Sequence, residues 1–581
     1  MEVWNVADLR KLLGMLGPYR RDLVLACLLI IVETSFELII PTMMASLIDI
    51  GVANGDVGYM LHKGGQMALC AILALATGLA YARFAARAAY GWGAGIREAE
   101  YSSLQNYAFS NIDKYETSSL VTRMTSDVTV MQNTINNGLR PLVRAPVMLI
   151  LGIVFSFSMN AQLALVFIIL TPILGFVLFS IVRRVAPMYS ILQKTVDGLN
   201  SVVEENLRAI RTVKAFVRGT FEEEKFDEVN DGLRSTATKT NATAVLNMPV
   251  FQTVMYFCVV CIMFFGGSMI LLGRLQVGEL TGFLSYVMQV LNSMMMLSNV
   301  FLLLTRSLAS ASRIAAVLDE EPALKERKDP VMEVASSDVV FDHVSFKYSQ
   351  DAKEETLEDI TLTMPAGSTI GILGGTGSGK SSLVQLIDRL YDVDKGAVRI
   401  GGVDVRDYSL SVLRDAVGMV LQKNLLFSGS VRDNLRWGAE EASDDEIWAA
   451  CGIAGAAEFL RRFPQGLDTE LGQGGVNVSG GQKQRLCIAR ALLKKPRILI
   501  FDDSTSAVDT ATEKEIRDSL KKLEGVTKIF IAQRISSVME AQRIFILDNG
   551  RLVDSGTHDE LLRTSRIYQE IYESQIKGGS L

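Results

Sequence analysis

Two patterns of apolar and polar positions divide this chain. Before Arg313, apolar runs recur that approach or exceed the roughly 20 residues needed to cross about 30 Å of hydrocarbon: 22–50, 65–84, 142–159, 161–182, 249–272 and 280–304. After Arg313 the runs shorten to strand length and alternate with amphipathic stretches, which predicts an α/β domain with a largely parallel sheet. A polar stretch, 319–338, separates the two regimes. The expected organisation is therefore a six-helix transmembrane domain over 1–318, a linker over 319–338 and an α/β domain over 339–581. The third run is the weakest, because its uninterrupted part covers only 145–159 and starts beside Arg144.

Basic residues orient the spans. Arg10, Lys11, Arg20 and Arg21 precede the first run, and Arg97, Lys114, Arg123, Arg140, Arg183 and Arg184 follow the second and fourth. The opposite connections carry only Lys63 and Arg274. Both termini are expected in the cytoplasm, in the cytoplasmic membrane of the cell. Segments 85–141 and 183–248 are rich in helix formers and poor in Gly and Pro, so the membrane helices should run on into the cytosol. No cleavable signal and no processing peptidase are expected ahead of residue 22.

Composition narrows the class. With 49% apolar and 21% charged residues, disorder, collagen and a small disulfide scaffold are excluded. A net charge of −6 argues against a nucleic-acid binder. Four of the six cysteines, including the Cys258-x-x-Cys261 pair, lie in apolar runs and read as membrane-buried thiols, with zinc or redox chemistry as the remote alternative. Glu33 and Glu37 are four apart on one helical face inside the first span, where an ionisable group implies a cavity or a partner. They either attract a cationic, amphipathic substrate or pair with Arg83 or Arg87 on a neighbouring helix. Met288 and Met294 to Met296 fit an adaptable apolar wall, or ordinary packing.

The second half carries the chemistry. An apolar strand, 369–373, leads into Gly374-Gly375-Thr376-Gly377-Ser378-Gly379-Lys380-Ser381, followed by Ser382. This matches G-x-x-x-x-G-K-[ST] in its fixed positions and in its strand–loop–helix setting. Glycine-rich backbone closes on phosphate oxygens at a helix N-terminus, Lys380 reaches the β- and γ-phosphates, and the Ser381 hydroxyl suits Mg²⁺. A second strand, 498–501, delivers Asp502 and Asp503 to its C-terminal edge, where a Mg²⁺-holding carboxylate belongs. Between them stands Val478-Ser479-Gly480-Gly481-Gln482-Lys483-Gln484-Arg485.

That last motif resembles the signature of the ATP-binding cassette (ABC) family, and with it the whole chain resembles an ABC exporter half-transporter. The resemblance implies an ATP hydrolase coupled to transport, with ATP and Mg²⁺ as cofactors and a second half-transporter as partner. A cytosolic ATP site also requires an even number of crossings, which retains the third span. By position, Tyr348 resembles the aromatic that stacks on adenine, and Gln422 the glutamine that contacts Mg²⁺ and reports to the membrane domain. Ser479, Gly480, Gly481 and Gln482 resemble the residues that touch the γ-phosphate of the partner's ATP. Asp509 resembles the loop that communicates between two sites. Residues 115–124 and 212–226 resemble the family's cytoplasmic coupling regions.

Two positions depart from the family. Asp503 stands where hydrolysis-competent members carry a Glu that orients and deprotonates water, and one methylene less withdraws the carboxylate by about 1 Å. Gln533 stands where they carry a switch histidine, and the three histidines present, His62, His343 and His558, lie elsewhere. With the signature intact, this pattern resembles the degenerate member of a heterodimeric exporter of amphipathic, multidrug-like compounds. A homodimeric exporter of peptides or lipids, and a regulatory ATP-binding membrane subunit, are the alternatives.

Overall fold

A computed structural model describes residues 6–349, 352–503 and 510–577. It separates into two compact units. The first comprises 1–105 and 116–320; the second comprises 321–581 together with the short excursion 106–115.

The first unit is helical. Its long helices are α1 (Arg20–Ser46), α2 (Val57–Asn106), α3 (Leu139–Met159), α4 (Ala161–Arg208), α5 (Asn247–Leu271) and α6 (Val277–Asp319). Among the described residues, five helical stretches are long and apolar enough to cross a membrane: Gly17–Val52, Val57–Asn106, Thr117–Met159, Gly219–Leu271 and Val277–Leu297. The remaining expected span, 161–182, is helical throughout inside α4. As the Gly- and Pro-poor composition requires, α2 and α4 continue well past their apolar runs, and a further helix, Gly219–Val245, leads into α5.

Local chemistry sets the joints. Asn160 ends α3 in extended geometry, and its side-chain oxygen accepts from the backbone N–H of Gln162 and Leu163 at 3.0 and 3.1 Å, so it also starts α4. Asp49 accepts from the N–H groups of Gly278 and Glu279 at 2.5 and 2.9 Å, which places a carboxylate on the positive end of α6. Small residues let helices approach: a Cβ on Gly278 would lie 2.3 Å from the Ala45 carbonyl oxygen, and one on Gly152 2.7 Å from Val290. Around these contacts Leu38, Leu163, Phe251, Phe283, Tyr286 and Val290 form a buried core. The Tyr286 hydroxyl donates to the Leu38 carbonyl at 2.5 Å.

Glu33 and Glu37 do not pair with Arg83 or Arg87. Glu33 is bound by Arg140 and lies 3.5 Å from Arg144, and Arg144 also holds Glu37. Two carboxylates four apart on α1 meet two guanidiniums four apart on α3, so one helical repeat matches the other. Helical spacing defined the face of α1 but not which neighbour it meets. Arg87 lies 4.0 Å from Asp22 instead. The same ladder accounts for Arg144 at the head of the third span, because its charge is matched where it enters the apolar run. Cys258 and Cys261 are free thiols, and no metal-ligating cluster occurs among the described residues.

The second unit is an α/β domain. Strands β1 (Val339–Phe346), β2 (Leu357–Met364) and β4 (Lys395–Ile400) lie in an antiparallel sheet in the order β2-β1-β4. The main sheet contains β3 (Thr369–Gly374), β5 (Val417–Val420), β6 (Ile498–Asp502), β7 (Thr527–Ala532), β8 (Arg543–Asp548) and β9 (Arg551–Gly556), in the order β9-β8-β3-β7-β6-β5. All its pairings are parallel except β8 with β9. Buried on both faces, β6 and β7 read as continuous apolar runs in which alternation is lost. Only β7 separates β3 from β6, so the loop after residue 374 and the carboxylate at 502 emerge at the same edge.

Candidate nucleotide site

From β3 the backbone turns through Gly377 (φ +83°) and Gly379 (φ +91°) into α7 (Lys380–Ile387). Both angles lie in the left-handed region that glycine adopts without strain. Gly374 has a packing reason as well, since a Cβ there would sit 2.3 Å from the Leu547 carbonyl oxygen and 2.5 Å from Ser378 Oγ. Lys380 is 8% exposed and folds its ammonium back over the loop, donating to the carbonyls of Gly374 at 2.9 Å and Gly375 at 2.5 Å. Burial pulls its pKa below the ordinary lysine value, while Asp503 and Asp502 oppose that shift. An ammonium that holds two carbonyls and, at 3.4 Å, the Ser378 hydroxyl at a helix N-terminus is poised to exchange these neutral dipoles for phosphate oxygens.

Asp502 ends β6 at 5% exposure, and its Oδ1 accepts from Ser381 Oγ at 2.9 Å. Burial raises its pKa, Ser381 and Lys380 pull it down, and the neighbouring Asp503 adds to the rise. A hydroxyl and a carboxylate oxygen side by side are the hard donors that Mg²⁺ takes alongside phosphate and water, so the residues present fit that ion. When bound with ATP, Mg²⁺ neutralises charge between the β- and γ-phosphates. Asp503 follows with φ +46°, a left-handed conformation in which Asp is enriched among residues other than glycine. Burial raises its pKa, against Lys380 and Arg534.

Tyr348 lies just beyond β1. Its hydroxyl is 2.9 Å from Ser382 Oγ and donates to Gln385 Oε1 at 3.0 Å, both on α7. Its ring stands edge-on to Phe346 and Tyr391, with centroids 4.9 and 5.1 Å away. At 46% exposure the ring can still receive a base.

The other expected residues lie on other elements, and the turn that carries Gln533 adjoins Asp503, whose backbone N–H donates to the Ile531 carbonyl at 3.2 Å. Gln422 is exposed, two residues beyond β5. Ser479 caps α8 (Gly480–Leu493): its hydroxyl accepts from the Gln482 N–H at 3.3 Å and its own N–H donates to Gln482 Oε1 at 2.9 Å. Ser479 and Gly480 face outward, and Gly481 occupies the first turn. Gln533 is exposed after β7, and Asp509 lies outside the described residues.

Several residues near the site were not singled out in the sequence. Gln575 brackets the turn after β7, donating to the Gln533 carbonyl at 2.9 Å and accepting from the Ile535 N–H at 2.8 Å. Arg490 of α8 donates to the Leu425 carbonyl at 3.2 Å, tying the signature helix to the stretch that follows Gln422. Tyr391 packs against Tyr348, and its hydroxyl donates to Asp113 Oδ2 at 2.6 Å. No sequence signal pairs residues so far apart, although the aromatic Tyr391 directly after α7 and its short exit turn was visible.

Comparison with known proteins agrees with this geometry. Residues 23–294 match the model of the ABC transporter transmembrane region, and residues 357–506 match the ABC transporter model. The ABC transporter ATP-binding protein YfiB of Bacillus subtilis is 37% identical, over 98% of this chain and 99% of its own. Rv1273c of Mycobacterium tuberculosis, also described as an ABC transporter ATP-binding protein, is 36% identical over 96% of both chains. An ATP-dependent lipid A-core flippase of Desulfotalea psychrophila is 32% identical over 82% of this chain and 83% of its own. Among solved structures, a bacterial Atm1-family ABC exporter with ATP bound superposes with a TM-score of 0.82 at 26% identity, covering 96% of this chain and 99% of that one. The chain therefore belongs to the ABC transporter family, as an exporter half-transporter whose helical transmembrane domain precedes an ATP-hydrolysing α/β domain.

Proposed function

We propose that this chain is one subunit of an ATP-driven exporter that moves amphipathic compounds outward across the cytoplasmic membrane by alternating access. Its six spans would place both termini in the cytoplasm, with 1–318, 319–338 and 339–581 as membrane domain, linker and nucleotide domain. ATP lies between its own phosphate loop (374–382), Asp502, Gln422 and Tyr348, and the signature motif of a partner chain. Its own signature in turn completes the partner's site.

One observation carries the mechanistic part of the reading: the ATP-holding groups are assembled, yet Asp503 stands where a Glu is expected and Gln533 where a His is expected. Lys380, Ser381 and Asp502 suffice to hold Mg²⁺–ATP. Asp503 reaches about 1 Å less far toward water, and misplacement on that scale costs about 10²-fold in rate. Gln533 cannot carry imidazolium charge. The site in this chain thus retains ATP and hydrolyses it slowly, and a partner carrying Glu and His supplies the competent site, completed by Ser479 of this chain.

Glu33 and Glu37 act in this reading as the helix ladder to Arg140 and Arg144 and not as substrate acids, since their charges are already matched. The relative named as a lipid A-core flippase favours a second reading of the substrate, in which the amphiphile is a lipid. The test is ATP turnover in lipid by the chain alone and paired with a half-transporter carrying Glu and His. Low turnover alone and brisk, substrate-stimulated turnover in the pair is expected; equal turnover in both would overturn the heterodimer.

A further inference from the structure

Beyond its apolar run, α2 continues to a junction with three other elements of the helical unit: the π-helical turn Arg123–Asp127, the helix Val128–Asn136 and α6. Glu100 stands at this junction, about 24 Å along the helix past residue 84, where the apolar run ends. It is 0% exposed, and neither of its carboxyl oxygens has a hydrogen-bond partner. The cations around it are bound to other groups. Arg97 donates to the Met124 carbonyl at 3.2 Å and to Gln132 Oε1 at 3.3 Å, and Arg123 donates to the Arg313 carbonyl at 3.0 Å.

A second buried carboxylate at the junction is treated differently. Asp127, 3% exposed, accepts from Ser310 Oγ at 2.9 Å and from Arg313 Nε at 2.8 Å, so its charge is matched from α6. Glu100 is offered no donor, and ionised it would be an unpaired charge in the interior. Burial pushes its pKa up to about 7; the neighbouring Asp127 adds to the rise, and Arg123 and Arg97 oppose it. The helix Val128–Asn136 contributes no charged side chain. A proton needs no cavity, and it removes the charge that nothing in the junction meets.

We propose that Glu100 is a proton-binding site that fastens the turn 123–127 to α2 while it is occupied and releases the turn when the proton leaves. Two responses to the bare carboxylate are open. Arg97 or Arg123 turns to Glu100 and gives up Met124, Gln132 or the Arg313 carbonyl, or water enters between α2 and the turn. Either detaches 123–127, where the helix already departs from regular α geometry. Cytosolic pH then sets the rigidity of this junction without nucleotide.

The test uses the full chain in lipid nanodiscs, free of nucleotide, unaltered and as Glu100→Gln, which is neutral at every pH. Infrared spectra follow the C=O band of protonated carboxyls as pH rises. The difference between the two chains should contain one carboxyl with a midpoint of about 7; Asp388 titrates in the same range but is present in both and cancels. Amide hydrogen exchange of 117–136, corrected for its intrinsic pH dependence, reads the release. In the unaltered chain the opening constant should rise by up to about tenfold per pH unit between the ordinary glutamate value and about 7, then level off. In Glu100→Gln it should stay flat, at the low value that the unaltered chain shows in acid. A midpoint at the ordinary glutamate value, or the same rise in both chains, overturns the proposal. So does a Glu100→Gln chain that opens 117–136 in acid, because the junction would then require the anion. Should Glu100→Gln not fold, Glu100→Met, also neutral and of similar length, replaces it, and failure of both overturns the proposal too.

Discussion

Replacing Tyr348 with alanine should weaken ATP binding through the base and leave the phosphates untouched. Tyr348 is 46% exposed and its ring is held edge-on by Phe346 and Tyr391, which in the proposed reading leaves surface for adenine. Stacking of a base on an aromatic side chain contributes about 1–3 kcal/mol. At about 1.4 kcal/mol per factor of ten, Tyr348→Ala should reduce ATP affinity by about fivefold to 150-fold. Tyr348→Phe loses only the hydroxyl contacts to Ser382 and Gln385, a net of about 1 kcal/mol, and Phe346 and Tyr391 still support its ring. Its affinity should fall about fivefold at most. Titration calorimetry of the purified chain with ATP and with inorganic triphosphate separates the contributions. Triphosphate, held by the phosphate loop alone, should bind both variants as it binds the unaltered chain. Equal losses for ATP and triphosphate, or no loss for ATP in the alanine variant, would refute the assignment of Tyr348 to the base.

If the proposed pairing holds, Ser479→Ala should reduce turnover of the assembled pair more than Lys380→Ala, because in that proposal the signature serves the competent site; equal losses would mean equivalent sites. Since Ser479 also caps α8, worth about 1 kcal/mol, Ser479→Thr is the control that keeps the cap. Arg144→Met should lower stability in detergent by about 2–3 kcal/mol, less than the 3–5 of a fully buried broken pair, because Arg140 still faces Glu33 and the Glu37 side chain is 31% exposed. Adding Glu37→Gln should recover part of that loss, and strict additivity in the melting temperatures would contradict the ladder. Burial pushes Asp388 up to about 7, against the pull of Arg414 and Lys494, and its Oδ1 has no hydrogen-bond partner. The folded chain then holds a proton that the unfolded chain has lost across the window from about pH 4 to about 7, so nucleotide-domain stability should fall as pH rises through it. Asp388→Asn should flatten that slope in chemical denaturation; an unchanged slope would assign it to another group.

The features legible in the sequence are those whose chemistry is local. The phosphate loop could be read because glycine freedom, a lysine and a hydroxyl must follow one another directly between a strand and a helix, and that order survives folding unchanged. Asp502 was legible because a fully buried strand can end on a carboxylate only where something meets it, and Ser381 does. The long helices followed from run length and from the lack of breakers. What stayed hidden depends on which surfaces meet. Helical spacing put Glu33 and Glu37 on one face but could not choose Arg140 and Arg144 over Arg83 and Arg87. The contacts Tyr391 to Asp113 and Gln575 to Gln533 join residues 278 and 42 positions apart, and side-chain type alone specifies no partner at such separations. The excursion 106–115 reads as part of one continuous helical segment, and its membership of the nucleotide unit emerges only from packing.

The central claim is that Asp503 and Gln533 slow hydrolysis in a site otherwise equipped to hold ATP. Its most direct test is ATP turnover of the isolated chain in lipid, unaltered and as the double variant Asp503→Glu plus Gln533→His. Because the signature 479–482 is intact, two copies of the double variant contain every group a competent site requires. The account predicts slow turnover by the unaltered chain and an acceleration of about 10²-fold in the double variant, corresponding to about 2.7 kcal/mol in the barrier. Brisk turnover by the unaltered chain, with no gain from the two substitutions, would contradict it and make a symmetric homodimer the working description.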